Sequence, residues 1–274
     1  MTVKTGSHDG AQAPPTTVDS SALRACLEKR RARAAAALAP RAGEPRDAVV
    51  LIAAGLPIHR PGKADQTYPY IPHSDYFWLT DHARPASVLA FDPGEGYVHF
   101  VPAVTQAERY WEGAGGEGVD IRTEGAIDLA RLAPWLDARR GRPLAVLGAA
   151  AALPDVAGDA ALSERLAARL LHARRRKDEL ELSRMRRATA ATVAGFETAR
   201  EWLRPGVTER RVQVEMEAAF FRAGADATGY DSIVGSGPNS AVLHFSPGAR
   251  ELRAGEPVLI DAGAAVAGYT ADVT

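Results

Sequence analysis

The sequence predicts two domains of mixed secondary structure: an α/β domain over residues 19–173 and an α+β domain over residues 174–274. Strands and helices intermix through the first domain, which is the pattern of a packed α/β layer. Near residue 173 the texture changes to a charged run, ARRRKDELEL. Beyond it come two helical periodicities and then strand-like pieces with no alternation, which is the α+β pattern. A chain of 274 residues has room for one or two cores of this kind.

The elements follow in chain order. Residues 1–18 are Gly, Pro, Thr and Ala in a polar setting and read as a disordered tail. Ser20 or Ser21 caps a helix running to Leu38, with its Arg and Lys residues on a solvated face. Residues 48–55 (AVVLIAAG) form a buried-strand pattern ending at Gly55, and residues 86–92 and 96–102 form a hairpin closed by Pro93-Gly94-Glu95-Gly96. A helix is expected around residues 127–136 and a further strand at 143–148. In the second domain Leu182, Met185, Val193, Phe196 and Leu203 recur at helical spacing until Pro205-Gly206. Thr208 caps the next helix, which ends near Gly224, and strands are expected at residues 232–237, 241–246 and in the closing ribbon 258–273.

Composition excludes several functions. Lys and Arg number 33 against 34 Asp and Glu, a formal net charge of −1, so no phosphate-tracking surface for nucleic acid is expected. The single cysteine, Cys26, forms no internal disulfide, and no uncharged run approaches the roughly 20 residues that span a bilayer. The expectation is a soluble, cytoplasmic protein with no membrane partner.

The chemistry concentrates in the closing ribbon. Asp261 follows the apolar run Val258-Leu259-Ile260, and Asp272 lies in the otherwise uncharged stretch 268–273, with Gly263 and Gly268 read as flanking the turn. A hairpin brings both carboxylates onto one face, where they repel unless a proton or a cation sits between them. A metal pair about 3.5–4 Å apart fits such a site. Taken singly, each Asp is equally read as satisfying turn amides. His244 interrupts the apolar segment 242–245 and reads either as a satisfied core group or as a proton-handling group. His73, Asp75, Trp78 and the triplet Trp111-Glu112-Gly113 read as packing residues, and the turn 235–239 lacks the Lys and helix of a phosphate loop.

Residues 230–245 (YDSIVGSGPNSAVLHF), 252–263 (LRAGEPVLIDAG) and 268–274 (GYTADVT) together resemble the Xaa-Pro aminopeptidases, or aminopeptidase P family, of the pita-bread metallopeptidase superfamily. Residues 68–81 (YPYIPHSDYFWLTD) resemble that family's N-terminal domain, and residues 175–188 its interdomain helix. The resemblance implies a creatinase-type N-terminal domain followed by a pita-bread catalytic domain, incomplete here. It implies two divalent metal ions, Mn²⁺ among them, with Asp261 binding one and Asp272 bridging both. His244 is then catalytic and Tyr230 lines the substrate site. The implied substrate is a peptide with proline in second position, and the implied assembly is a homo-oligomer. In the family one His and two Glu ligands follow the position of Thr274, so these residues alone are expected to be inactive. Prolidase, which cuts Xaa-Pro dipeptides, and a truncated non-catalytic homologue are the alternatives.

Overall fold

The computed structural model describes residues 20–62, 66–111 and 125–274, and the expected tail lies outside them, as do Glu112 and Gly113. The chain forms two compact units, dividing between Arg176 and Lys177.

The first unit is built on a five-stranded mixed sheet. Its elements are α1 (Ser20–Leu38), β1 (Val49–Ala53), α2 (Ser74–Thr80), β2 (Val88–Asp92), β3 (Gly96–Val101), α3 (Gln106–Trp111), β4 (Ala126–Asp128), α4 (Leu132–Asp137), β5 (Leu144–Gly148) and α5 (Ala160–Arg174). The strand order is β4-β3-β2-β1-β5. β1 lies between its parallel partner β5 and β2, the inner arm of the antiparallel β2–β3 hairpin. All five residues of β1 are buried. Val50 and Ile52 pack with Leu38, Trp78, Leu162 and Leu170 in one cluster, whereas Leu51 joins Val88, Phe100 and Leu132 in another. Burial on both faces is why the strand reads as a continuous apolar run rather than an alternating one.

The segment 127–136 departs from the helix expected there. Residues 126–128 pair in parallel with β3, and the Asp128 side chain accepts from the Ala130 amide at 2.9 Å. That cap defers helical structure to a 3₁₀ turn at Leu129–Arg131 and then α4.

His73, Asp75 and Trp78 serve packing. His73 accepts from the Asp75 amide at 3.2 Å at the start of α2, Asp75 pairs with Arg174, and the buried Trp78 ring lies under the Arg33 guanidinium at 4.9 Å. Beneath α2 the Tyr76 hydroxyl lies 2.7 Å from His99 Nε2 and 3.2 Å from His82 Nδ1, all three residues buried. Burial, with neighbouring charge from His82 and Arg31, pushes the His99 imidazole down to about 3.

The second unit contains α6 (Glu179–Trp202), α7 (Glu209–Arg222), β6 (Ala227–Thr228), β7 (Ile233–Ser236), β8 (Val258–Asp261), β9 (Ala264–Val266) and β10 (Tyr269–Thr270). The charged run is a helix start: Asp178 accepts from the Glu181 amide at 2.9 Å, and Glu181 accepts from the Asp178 amide at 3.0 Å. This reciprocal pair satisfies two amides that no helical carbonyl reaches. Val212, Met216 and Phe220 of α7 then pack with Ala191 and Ala199 of α6 and with the β residues Val234, Ala262 and Ala264. Gly195 permits the contact, because a Cβ there would lie 2.1 Å from the Phe220 ring.

Two strand expectations are corrected. Residues 241–246 form no strand: Gly237–Ala241 is a 3₁₀ helix with Gly237 at φ +52° and Ser240 Oγ bonded to the Gly237 carbonyl at 2.7 Å, followed by a turn at Leu243-His244. Leu243 is 88% exposed, and residues 242–245 pair with no strand among the described residues. The closing hairpin turns at Ala267-Gly268, where both residues have positive φ, rather than beginning its turn at Gly263. Its arms are β9 and β10, while β8 pairs with β7.

His99 is neutral in the fold, while an unfolded histidine takes a proton near 6.5. Stability is therefore complete above that value and declines as the pH falls from there towards about 3. In a nuclear magnetic resonance titration the His99 ring is expected to remain neutral through pH 5, and a ring titrating near 6.5 would contradict its buried pairing with Tyr76.

Candidate metal centre and substrate cleft

The backbone register of the closing ribbon places the carboxylates. Val266 stands opposite Tyr269, Ala265 opposite Thr270, and Ala262 opposite Val273. The Ala271 amide bonds the Ala264 carbonyl and the Ala262 amide bonds the Val273 carbonyl, both at 3.0 Å. In that register Asp272 stands opposite Gly263. Side chains alternate along a strand, so Asp272 shares its face with Asp261, one diagonal step away. Gly263 is required there, because a Cβ would lie 1.8 Å from the Ala271 carbonyl oxygen.

Tyr230 is aimed at the pair by a bulge. Ala227 pairs with Ala265 and Ile233 with Asp261, so six steps on one side match four on the other. The two extra residues fall between β6 and β7 and turn Tyr230 out of the ladder. Its hydroxyl lies 2.5 Å from Asp261 Oδ1 and 3.1 Å from Asp272 Oδ1. Burial, then the bond to Asp261 and the one to Asp272, pushes the phenol well above its ordinary value, so the proton stays on Tyr230 at neutral pH. One proton serves two carboxylates poorly, and the arrangement leaves negative charge converging on one point. Hard oxygen donors of this kind suit Mg²⁺ or Mn²⁺. Among the described residues no group of three or more His, Cys, Asp or Glu side chains is placed to hold a metal ion, so the pair is a partial donor set.

Asp261, Asp272, Tyr230 and His244 line one cleft of about 590 Å³. His244 reaches it from an exposed turn rather than from a strand. The cleft is completed by residues that sequence reasoning passed over, including Asp231, Ser232, Arg210 and Gln213. Glu215 and Glu217 do not line the cleft: Glu215 pairs with Arg211 at 2.7 Å, and Glu217 accepts from Gln213 Nε2 at 2.8 Å.

Glu209, next in sequence to the cleft residue Arg210, holds the 236–239 turn. It is fully buried at the start of α7. Its carboxylate accepts from the Ser236 amide and hydroxyl, both at 2.8 Å, and from Asn239 Nδ2 at 3.0 Å. Burial alone would push this carboxyl up, but the bonds from Ser236, Asn239 and the Gly248 backbone outweigh it and hold the group below its ordinary value.

Two family models match the chain in order. Residues 27–129 match the aminopeptidase P N-terminal domain, and residues 183–274 match metallopeptidase family M24. The chain belongs to the aminopeptidase P family. Over 234 residues it is 30% identical to Xaa-Pro aminopeptidase 1 of Streptomyces coelicolor, covering 77% of this chain and 47% of that relative. It is 40% identical over 98 residues to the Xaa-Pro aminopeptidase of Escherichia coli, covering 36% of this chain and 22% of that one. The aminopeptidase PepP structure from Pseudomonas aeruginosa aligns with a TM-score of 0.71 at 26% identity, covering 90% of this chain and 60% of that chain. This aminopeptidase P family chain therefore spans about half the length of the longest-matching of these curated relatives. The architecture is accordingly an aminopeptidase P N-terminal domain followed by part of a pita-bread domain.

Replacing Glu209 with Ala leaves the Ser236 and Asn239 donors without their acceptor and is expected to cost about 2–3 kcal/mol in chemical denaturation at pH 7. Because the folded carboxyl is held low, its contribution is complete above the ordinary value of 4.5 and is lost as the pH falls through the depressed one. The difference between wild type and Glu209→Ala should therefore narrow on acidification, and a pH-independent difference would argue against the ionised form.

Proposed function

We propose that this chain contributes the N-terminal domain and the first part of the catalytic domain of a metal-dependent Xaa-Pro aminopeptidase. The convergence of Asp261 and Asp272 on one phenolic hydroxyl carries the reading. Asp261 and Asp272 would hold the divalent ions, and Mn²⁺ is among the cations that such oxygen donors suit. Divalent ions held there would supply Lewis acidity and make bound water acidic near neutral pH. Tyr230 retains its proton, orients the two carboxylates and borders the substrate. His244, exposed at the cleft wall, donates or accepts the proton that moves at the reacting carbonyl. A cytoplasmic setting agrees with the one free cysteine, and the family resemblance supports a homo-oligomer.

The natural protein that carries these residues, supplied with Mn²⁺, is expected to release the first residue of an Ala-Pro-Gly tripeptide. Asp261→Asn or Asp272→Asn should lower kcat/KM by more than about 100-fold, beyond the range seen for groups outside the ligand set. Turnover untouched by chelator and by both substitutions would sink the metal assignment. A polypeptide of residues 1–274 alone is expected to be silent, since its described residues offer no third ligand. Cleavage by that polypeptide, free of contaminating enzyme, would overturn the partial-site reading.

A further inference from the structure

We propose that Thr192 of α6 is a positioning residue for the metal site, setting the separation of Asp261 and Asp272 through the main chain between them. The inference deepens the metal-dependent reading above and rests on it. It begins from a break in the ribbon's ladder. Ala264 stands opposite Ala271, in register with the Val266–Tyr269 and Ala265–Thr270 pairs. A regular antiparallel ladder closes such a hydrogen-bonded pair with two bonds. Here the Ala271 amide donates to the Ala264 carbonyl at 3.0 Å, but the Ala264 amide donates to Thr192 Oγ1 at 2.9 Å. A helix side chain takes the place of a strand carbonyl on the stretch that joins the two carboxylates.

The hydroxyl is held in that acceptor role. Thr192 and Ala264 are both buried. Thr192 donates its own proton to the Ala188 carbonyl at 2.9 Å, one turn back on α6, which leaves the oxygen lone pairs for the strand. A β-branched side chain has few rotamers open in a helix, so its aim is fixed. Ala188 packs with Val266 and Ala271, and Ala191 clusters with Ala262 and Ala264, so small side chains bring helix and ribbon together. The Tyr269 hydroxyl adds a second tie, donating to Glu181 Oε1 at 3.1 Å. The grip reaches the carboxylates through one peptide unit. The N–H of the Gly263–Ala264 peptide is held by Thr192, and its carbonyl accepts from the Gly229 amide at 2.7 Å. Gly263 faces Asp272 across the ribbon, Asp261 lies just before it, and Gly229 leads into Tyr230. A buried amide without an acceptor is costly. Without Thr192 Oγ1 the Ala264 amide is drawn towards the Ala271 carbonyl, the group that leads into Asp272, and the two carboxylates shift relative to each other.

The test titrates Mn²⁺ into the metal-free natural protein, with the unbound ion followed by electron paramagnetic resonance. Thr192→Val keeps the side-chain shape and removes the acceptor. It is expected to weaken Mn²⁺ binding about tenfold, the low end for groups that orient metal ligands, and to speed hydrogen exchange at the Ala264 amide. Thr192→Ser keeps the hydroxyl and should stay close to wild type in both measurements. Should Thr192→Val not fold, Thr192→Cys carries the same comparison, since a thiol of similar volume is a weak acceptor. Wild-type Mn²⁺ affinity in Thr192→Val or Thr192→Cys, even with lowered stability, makes the residue structural only and overturns the proposal. So does a Thr192→Ser protein as weak as Thr192→Val, which would assign the effect to the lost methyl group. In both cases the metal reading stands. A wild type that binds no Mn²⁺ removes the metal reading, and the role of Thr192 with it.

Discussion

Two like charges forced onto one face of a short ribbon set the terms for the second unit. Asp261 and Asp272 repel, and separation is not open to them, because the β9–β10 pairing and the Ala262–Val273 bridge fix their backbone positions. The surrounding structure supplies what it can: one phenolic proton, held on Tyr230 by burial and by the carboxylates themselves. The remaining negative charge is an electrostatic debt that a cation satisfies. Much else in the unit serves this arrangement. The bulge between β6 and β7 aims Tyr230, the packing of α6 on α7 supports the sheet from behind, and Glu209 anchors the 236–239 turn that leads to His244.

The fold was legible where burial and pattern agree. Both faces of β1 are covered, so its five residues read as a strand without ambiguity. Thr208 capped its helix as expected, accepting from the Arg211 amide at 3.1 Å. The misreadings were local. Residues 127–136 look helical by composition, but the Asp128 side chain and a parallel neighbour claim the first of them for a strand. Residues 242–245 have strand-forming side chains but pair with no strand among the described residues, and apolar character alone creates no pairing partner.

Within the cleft, Asp261, Asp272, Tyr230 and His244 were visible because each stands out from its apolar or family-like surroundings. Glu209 and Arg210 were not. Both sit in the first turn of a helix, where acids and bases are ordinary and usually solvated. Whether such a carboxylate is exposed or buried beneath a turn depends on the Ser236 and Asn239 donors, nearly thirty residues on. The signal was present only as a pairing between distant segments, which single-sequence periodicity does not carry.

The close approach at Gly263 has a consequence for redesign. Since main-chain contacts, not the carboxylates, hold the ribbon, the donor atoms at positions 261 and 272 are separable from the scaffold that spaces them. Imidazole donors installed at those two positions would inherit the same spacing and shift preference from hard, oxygen-seeking cations towards Zn²⁺, Ni²⁺ or Cu²⁺. The ribbon is in that sense a ruler with interchangeable tips, and the glycine is the mark that keeps it true.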